Sequence, residues 1–231
     1  MDCQLYRKSL IVCVALLSQL TLQAQKADTP KWRDSLAVLN KQIATQPWST
    51  DLHLRKAAVN LELQQWQYAI DEYGLVLQHQ VHNPAALFYR AYAATHLRHY
   101  EAARHDLETL LSVFPTHMEA RLSLAYVLQR MGRQSEALDE LNMVVEMQPD
   151  SALTYVARAS LEREMNQLEA ALYDWQQAVR LEPMNSDYVV SEVELLLHLG
   201  RKAEALRVLD EAAERGIPRG LLLEWRRKIK N

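Results

Sequence analysis

The sequence predicts an all-α fold built from stacked helical hairpins. The main observation is a period of 34 residues, because alanine recurs at that spacing five times. The recurring alanines are Ala69, Ala103, Ala137, Ala171 and Ala205. A small side chain stands twelve residues before each of them (Ala57, Ala91, Ala125, Ala159 and Val193), and a proline follows three of them (Pro115, Pro149 and Pro183). Five glycines and seven prolines in 231 residues leave few turns for a β-sheet protein.

Residues 1–24 have the pattern of a secretory signal peptide. Arg7 and Lys8 precede an apolar run from Leu10 to Leu17, and the small residue Ala24 suits a cleavage site. We therefore expect an exported protein, with the periplasm as the first expectation and the cell envelope or the extracellular space as alternatives. An uncleaved membrane anchor and lipidation at Cys13 are further alternatives. A mature chain that starts near Gln25 contains no cysteine.

Residues 25–49 are predicted to form a linker and a lone helix. Trp32, Leu36, Leu39 and Ile43 are spaced as on one helical face, and they match the second half of the repeat in the same frame. At the other end, residues 219–231 are predicted to form a capping helix. Leu221, Leu222, Trp225 and Ile229 form its apolar stripe, which would cover the end of the stack.

Five repeats fill the region between these helices. Their boundaries are 50–83, 84–117, 118–151, 152–185 and 186–218. Each contains two stretches with apolar residues at helical spacing, which predicts a helix, a short turn and a second helix. Gly132 and Gly200 occupy the turn in two repeats, where a residue with positive φ ends a helix at low cost. Gln64, Arg98 and Asn166 stand there in the other repeats, so the turn tolerates a side chain.

The seventh residue of a repeat, where an inward-facing helix needs an apolar side chain, is basic in three repeats. In those same repeats an acid follows sixteen residues later, and in the other two repeats the base is missing. We therefore predict structural ion pairs that join the two helices of one hairpin. The predicted pairs are Lys56 with Glu72, Arg90 with Asp106, and Arg158 with Asp174.

Several functional classes are excluded by composition or by the lack of a motif. A net charge of −3 does not suit a nucleic-acid-binding protein. The sequence has no phosphate-binding loop, no Gly-x-Ser-x-Gly and no His-Glu-x-x-His, so we predict neither an enzyme nor a cofactor. The pairs His79 with His82 and His96 with His99 supply two ligands each, which is too few for zinc, and we expect surface histidines.

These repeated residues resemble the tetratricopeptide repeat, a helix-turn-helix unit of 34 residues. The resemblance covers residues 50–218 and implies a right-handed solenoid of five units, with a concave groove that holds protein segments. The pairs Arg90-Ala91 and Arg158-Ala159, together with the predicted signal peptide, are similar to secreted tetratricopeptide proteins of Gram-negative bacteria. The subgroup that grips chaperone C-termini needs Lys and Asn where this chain has Phe88, Tyr92 and Leu122.

The partner is therefore expected to be a protein or peptide held in the concave groove. The predicted groove residues are Phe88, Tyr92, His96, Leu122, Tyr126, Gln129, Arg130 and Arg163. They form an apolar and aromatic floor with a basic edge, which suits a peptide that carries carboxylates. For Leu122 the alternative is packing against the neighbouring repeat.

Two functions remain open from the sequence. The first is an exported scaffold or adaptor that binds through the groove. The second is a structural subunit of a cell-envelope or secretion assembly, which would pack through its convex face or its end helices. In either case the partner can be membrane-associated.

Overall fold

A computed structural model describes residues 30–230, and within them the regular secondary structure is helical. The predicted signal peptide and Cys13 lie outside the described residues. The first helix, α1, covers residues 30–45. The helices that follow are α2 (Thr50–Glu62), α3 (Trp66–His79), α4 (Pro84–His96), α5 (Tyr100–Val113), α6 (Met118–Arg130), α7 (Gln134–Met147), α8 (Ala152–Glu164), α9 (Leu168–Leu181), α10 (Ser186–His198), α11 (Lys202–Arg215) and α12 (Arg219–Lys230).

The first helix of each repeat begins at the first residue of the predicted block, and in four repeats the side chain of the residue before it caps the helix. Asn83 Oδ1 accepts a hydrogen bond from the backbone N–H of Ala86, at 2.9 Å. Ser49, His117 and Asn185 accept equivalent bonds at the starts of α2, α6 and α10. These side chains satisfy N–H groups that have no partner inside the helix.

The turns inside the hairpins share one backbone conformation whatever their side chain. Gly132 and Gly200 have φ values of 77° and 75°, and Gln64, Arg98 and Asn166 have values of 56°, 61° and 60°. The turn therefore requires a left-handed residue in all five repeats, and three of them accept the steric cost of a side chain there.

Small residues form the contact between the two helices of a hairpin. The five recurring alanines, from Ala69 to Ala205, are 0% exposed. Ala57, Ala91, Ala125, Ala159 and Val193, which stand on the facing helices, are also buried. Helix axes at a separation of about 8–10 Å leave room for a methyl group and for little more.

The chain divides into two compact units between Ala137 and Leu138, inside α7. The first unit holds α1 to α6. Its lone helix α1 places Leu39 in a cluster with Leu52 and Val59 of α2. In the second unit α12 buries Leu222 and Ile229. Leu221, which we predicted to belong to the apolar stripe of α12, is 54% exposed because it lies one residue away from the buried face.

Candidate functional site

The predicted groove residues of the first unit lie on its first-helix face, which we define as the outward side chains of α2, α4 and α6. Tyr92 is 43% exposed, and His96 and Arg130 are exposed as well. Phe88, Leu122, Tyr126 and Gln129 are half-buried. The half-burial of Leu122 agrees with partial packing against a neighbour. The face thus combines exposed aromatic rings with apolar side chains that are partly covered.

An aromatic cluster of Trp66, Tyr92 and His96 marks the centre of this face. The indole of Trp66 and the imidazole of His96 are stacked, with ring centroids 4.0 Å apart and planes 2° apart. Tyr92 approaches both at a steep angle, with centroids 6.0 Å from Trp66 and 4.6 Å from His96. These three separations place Tyr92 beside the stacked pair rather than over it. Three rings from two helices therefore hold one another in place.

The cluster is uncharged at neutral pH. Burial raises the pKa of Tyr92 above its ordinary value, and the nearby carboxylate of Glu62 raises it further. Burial lowers the pKa of His96 below its ordinary range, since the charged imidazolium loses hydration there. The nearest charge identified at the cluster is thus the negative charge of Glu62.

Two further aromatic contacts extend the first-helix face toward α6. The ring of Phe88 stacks on His117, with centroids 5.5 Å apart, and meets Tyr89 edge to face at 5.2 Å. Arg130 Nε donates a long hydrogen bond of 3.4 Å to Tyr100 Oη. Arg130 is therefore attached to the rim of the aromatic surface.

The predicted basic edge is less available than the sequence indicated. Arg163 belongs to the second unit, where its guanidinium lies 3.7 Å from the carboxylate of Glu194. Burial lowers the pKa of Arg163 and raises that of Glu194. Arg163 is therefore compensated by this acid, whereas Arg130 is exposed and the neutral phenol of Tyr100 leaves its charge in place.

Trp66 and Tyr100 are not among the groove residues predicted from the sequence. Both begin the second helix of a repeat, and both contact a residue thirty positions later, on the first helix of the next repeat. The signal was present, because Trp66 with His96 and Tyr100 with Arg130 occupy the same two positions of the repeat. Such a pair becomes visible only when one repeat is compared with the next.

The predicted structural ion pairs are present in the structure. Arg90 Nε and Nη2 donate to the two oxygens of Asp106 at 2.8 and 2.6 Å, and Arg158 holds Asp174 in the same bidentate way at 2.7 and 2.8 Å. Lys56 Nζ lies 2.6 Å from Glu72. Asp106 and Asp174 are 3% and 0% exposed, so the guanidinium compensates each acid where water does not reach.

Buried polar groups accompany two of these pairs, and no pattern in the sequence predicts them. His53 Nδ1 lies 2.5 Å from the carboxylate of Glu72, and its Nε2 is 3.0 Å from the carbonyl oxygen of Pro47. Glu162 approaches Arg158 only at 3.9 Å, and its Oε2 is buried without a hydrogen-bond partner. Burial, followed by the charge of Asp174, raises the pKa of Glu162 to about 7.

One histidine of each predicted pair makes an aromatic contact, and the second members, His82 and His99, are exposed. His79 meets Trp48 edge to face at 5.9 Å, and His96 stacks on Trp66. Within residues 30–230 no three histidine, cysteine or acidic side chains come together in a way that would hold a metal ion. In the same range, no helix has the length and the apolar character needed to cross a bilayer.

Comparisons with known proteins place this geometry in a family. The chain is 33% identical over 82 residues to the human peptidyl-prolyl cis-trans isomerase FKBP4, which is 36% of this chain and 18% of that protein. The chain spans less than a third of the length of the curated relatives it matches.

Two solved structures share the fold at low identity. A tetratricopeptide repeat protein from Parabacteroides merdae superposes with a TM-score of 0.67 at 19% identity, over 90% of this chain and 84% of that one. YrrB, described as a TPR protein with an unusual peptide-binding site, superposes with a TM-score of 0.63 at 16% identity, over 82% and 97%.

Two models of the tetratricopeptide repeat match residues 94–160 and 156–219, which together make up more than half of the chain. Tetratricopeptide repeats serve as scaffolds for protein and peptide interactions. The recurring alanines, the paired helices and these matches agree, and the chain belongs to the tetratricopeptide repeat family.

Proposed function

We propose that this protein is an exported scaffold that binds a protein or peptide segment on the first-helix face of its first unit. The observation that supports the proposal is the cluster of Trp66, Tyr92 and His96, which leaves Tyr92 43% exposed on a face lined with apolar side chains. We assign the protein binding and no catalysis. Export rests on residues 1–24 alone.

The cluster suits binding because its rings are ordered before a partner arrives. Aromatic side chains bury a large area for few rotatable bonds, and a ring held by its neighbours loses little entropy on binding. Residues of this kind supply about 2 kcal/mol or more each at the centre of many interfaces. We therefore expect an apolar or aromatic side chain of the bound segment to cover Tyr92.

A second observation supports the use of this fold for peptides. YrrB is described as having a peptide-binding site, and it shares the fold of this chain. The similarity concerns the fold, so the residues that bind must be sought in this chain. Tyr92 and Tyr126 are the sharpest choices, because both occupy the ninth position of a first helix on the same face.

Replacement of both tyrosines tests the proposal. Protein that begins at Gln25 is incubated with cell-envelope extract and crosslinked, and its partners are identified by mass spectrometry. We expect the double variant Tyr92→Ala, Tyr126→Ala to retain its helicity and to lose capture by about tenfold or more, which corresponds to about 1.4 kcal/mol or more.

The matched control is Tyr68→Ala with Tyr173→Ala. These tyrosines are 65% and 57% exposed and lie on second helices. Unchanged capture by the first-helix variant would overturn the assignment. Loss of capture in the control pair alone would favour the alternative function, a subunit that packs into an envelope assembly through its second helices. The exposure of Tyr68 and of Val81, at 60%, is the observation in favour of that alternative.

A further inference from the structure

The seventh residue of a first helix contacts two second helices. Arg158 holds Asp174, sixteen residues ahead, and its Nη1 also donates to Asn142 Oδ1, sixteen residues behind, at 3.0 Å. Glu192, at the same position of the last repeat, is hydrogen-bonded to Gln176, and Arg226 of α12 donates to Asp210. In the last two repeats, and at the equivalent Arg226 of α12, a side chain of the preceding second helix thus contacts the seventh residue.

Arg90 has no such contact with a side chain of the preceding second helix. The residue sixteen positions earlier is Gly74, which has no side chain, and a Cβ added to Gly74 would lie 3.9 Å from Arg90 Nη1. Asp106 accepts from Nε and Nη2. Among residues 30–230, no protein group accepts a hydrogen bond from Nη1.

A groove opens on the surface above Gly74. It lies between α3 and α5 in the first unit, has a volume of about 690 Å³, and exposes Arg90 in its wall. Ile70, Leu75 and Leu87 line it with apolar surface, and Gln78 and Thr109 add polar groups. Leu75 is 36% exposed. The groove therefore offers apolar surface around the Nη1 amino group of Arg90, which donates to no side chain among residues 30–230.

The other repeats show which acceptor fits this place. Arg158 is already paired with Asp174, and its partner on the preceding second helix is the neutral amide of Asn142. Arg226 of α12 bonds instead to a carboxylate on the preceding helix, that of Asp210. Arg90 is paired with Asp106, and Asp71 also lines the groove, so a second carboxylate would meet repulsion there.

We propose that the groove above Gly74 docks a segment of a partner protein, and that an asparagine or glutamine of this segment places its amide oxygen on Arg90 Nη1. The inserted amide lies beside Arg90 in the position that corresponds to that of Asn142 beside Arg158. Apolar residues on either side of it cover Ile70 and Leu75. The groove opens between the second helices α3 and α5, with Leu87 and Arg90 of α4 in its lining, and it contains none of the predicted groove residues.

A phage-displayed library of random peptides tests the proposal. The library is depleted on the variant Gly74→Asn, which fills the place with its own amide, and is then selected on the wild-type protein. We expect the enriched peptides to carry a central Asn or Gln between apolar residues. Binding should fall tenfold or more on Gly74→Asn and persist on Gly74→Ala, which adds a methyl group without an acceptor.

The other outcomes would overturn the proposal. These are no enrichment, a central Asp or Glu, or equal binding to wild type and Gly74→Asn. A further variant, Tyr92→Ala with Tyr126→Ala, separates this site from the first-helix face. Peptides that bind above Gly74 should retain their affinity for that variant, and peptides that lose it would belong to the other face.

Discussion

At the scale of single residues, the repeat divides into positions that hold hairpins together and positions that face outward. Ala103 and Ala171 are 0% exposed at the point where two helices approach each other most closely. The neighbouring backbone limits the size of these side chains, so their recurrence in the sequence predicts the helix contact without a structure. Tyr92 and His96 have no such constraint, and their contact with Trp66 depends on the preceding hairpin.

Enlarging one of these alanines should overpack the hairpin. We expect Ala103→Leu to lower the free energy of unfolding by about 1–3 kcal/mol, because the added methylenes force the two helices apart. Ala102→Leu, at the exposed neighbouring position of the same helix, serves as the control. Urea titration followed by circular dichroism measures both, and equal stability of the two variants would argue against a tight helix contact.

Glu162 should make stability depend on pH. Its pKa is raised to about 7 in the folded protein, so the folded state holds the proton more tightly than the unfolded state does. The stabilising contribution is complete below the ordinary pKa of 4.5 and is lost as the pH rises through 7. Glu162→Gln cannot ionise. Relative to this variant, the wild type should lose about 3 kcal/mol between pH 4.5 and 8, because one pKa unit corresponds to about 1.4 kcal/mol.

Denaturant titrations at several pH values measure this difference. Glu146→Gln, at an exposed position of α7, is the control and should follow the pH dependence of the wild type. A parallel pH dependence of the wild type and Glu162→Gln would show that Glu162 is already hydrated in the folded protein.

At the scale of elements, the hairpin turn is the feature that the sequence described least completely. Glycine at two turns predicts a left-handed residue there, but Gln64, Arg98 and Asn166 hide the same requirement. The structure shows that all five turn residues have positive φ. In every hairpin the first helix ends, and the second begins, at the same positions of the repeat. The side chains therefore vary while the backbone does not.

Substitutions in these turns should change stability in opposite directions. Arg98→Gly should stabilise the protein by up to about 1 kcal/mol, because it removes the steric cost of a left-handed arginine. Gly132→Ala should destabilise it by about 1 kcal/mol, and the cost is conformational, since a Cβ there would meet no atom within 4 Å. Thermal unfolding measures both. A destabilised Arg98→Gly variant would reveal a native role for the arginine side chain.

At the scale of the whole molecule, the buried apolar residues that the structure describes run from Leu39 to Ile229. Within each of the two units, they lie on helices that contact their neighbours along the chain, as expected for a repeat protein. We therefore expect the repeats to fold without residues 1–24. Under the proposed function, this N-terminal segment serves export and the repeats serve folding.

Removal of residues 2–24 should therefore leave folding unchanged and abolish export. We expect the shortened protein to show the helicity and unfolding midpoint of the protein purified from the exported fraction, and to remain in the cytoplasm of a Gram-negative host. Cell fractionation and a reporter that is active only outside the cytoplasm measure the location. Export of the shortened protein would contradict the signal-peptide prediction, and loss of helicity would show that this segment contributes to the fold.

The sequence by itself determined the repeat, the helices and the ion pairs. Each of these depends on residues that recur at a fixed spacing, and a fixed spacing on helices determines which side chains can meet. Arg90 with Asp106 was predictable for this reason, since the sixteen residues between them join two helices of one hairpin.

The tertiary structure alone decided which side chains are covered. The stack of Trp66 on His96, the pairing of Arg163 with Glu194 and the open groove above Gly74 all depend on contacts between one hairpin and the next. Such contacts depend on the shapes of two repeats that differ in sequence. The period of 34 residues therefore predicted which positions of the repeat face outward. The packing between repeats determined that the ring of Tyr92 and the Nη1 group of Arg90 are accessible at those surfaces.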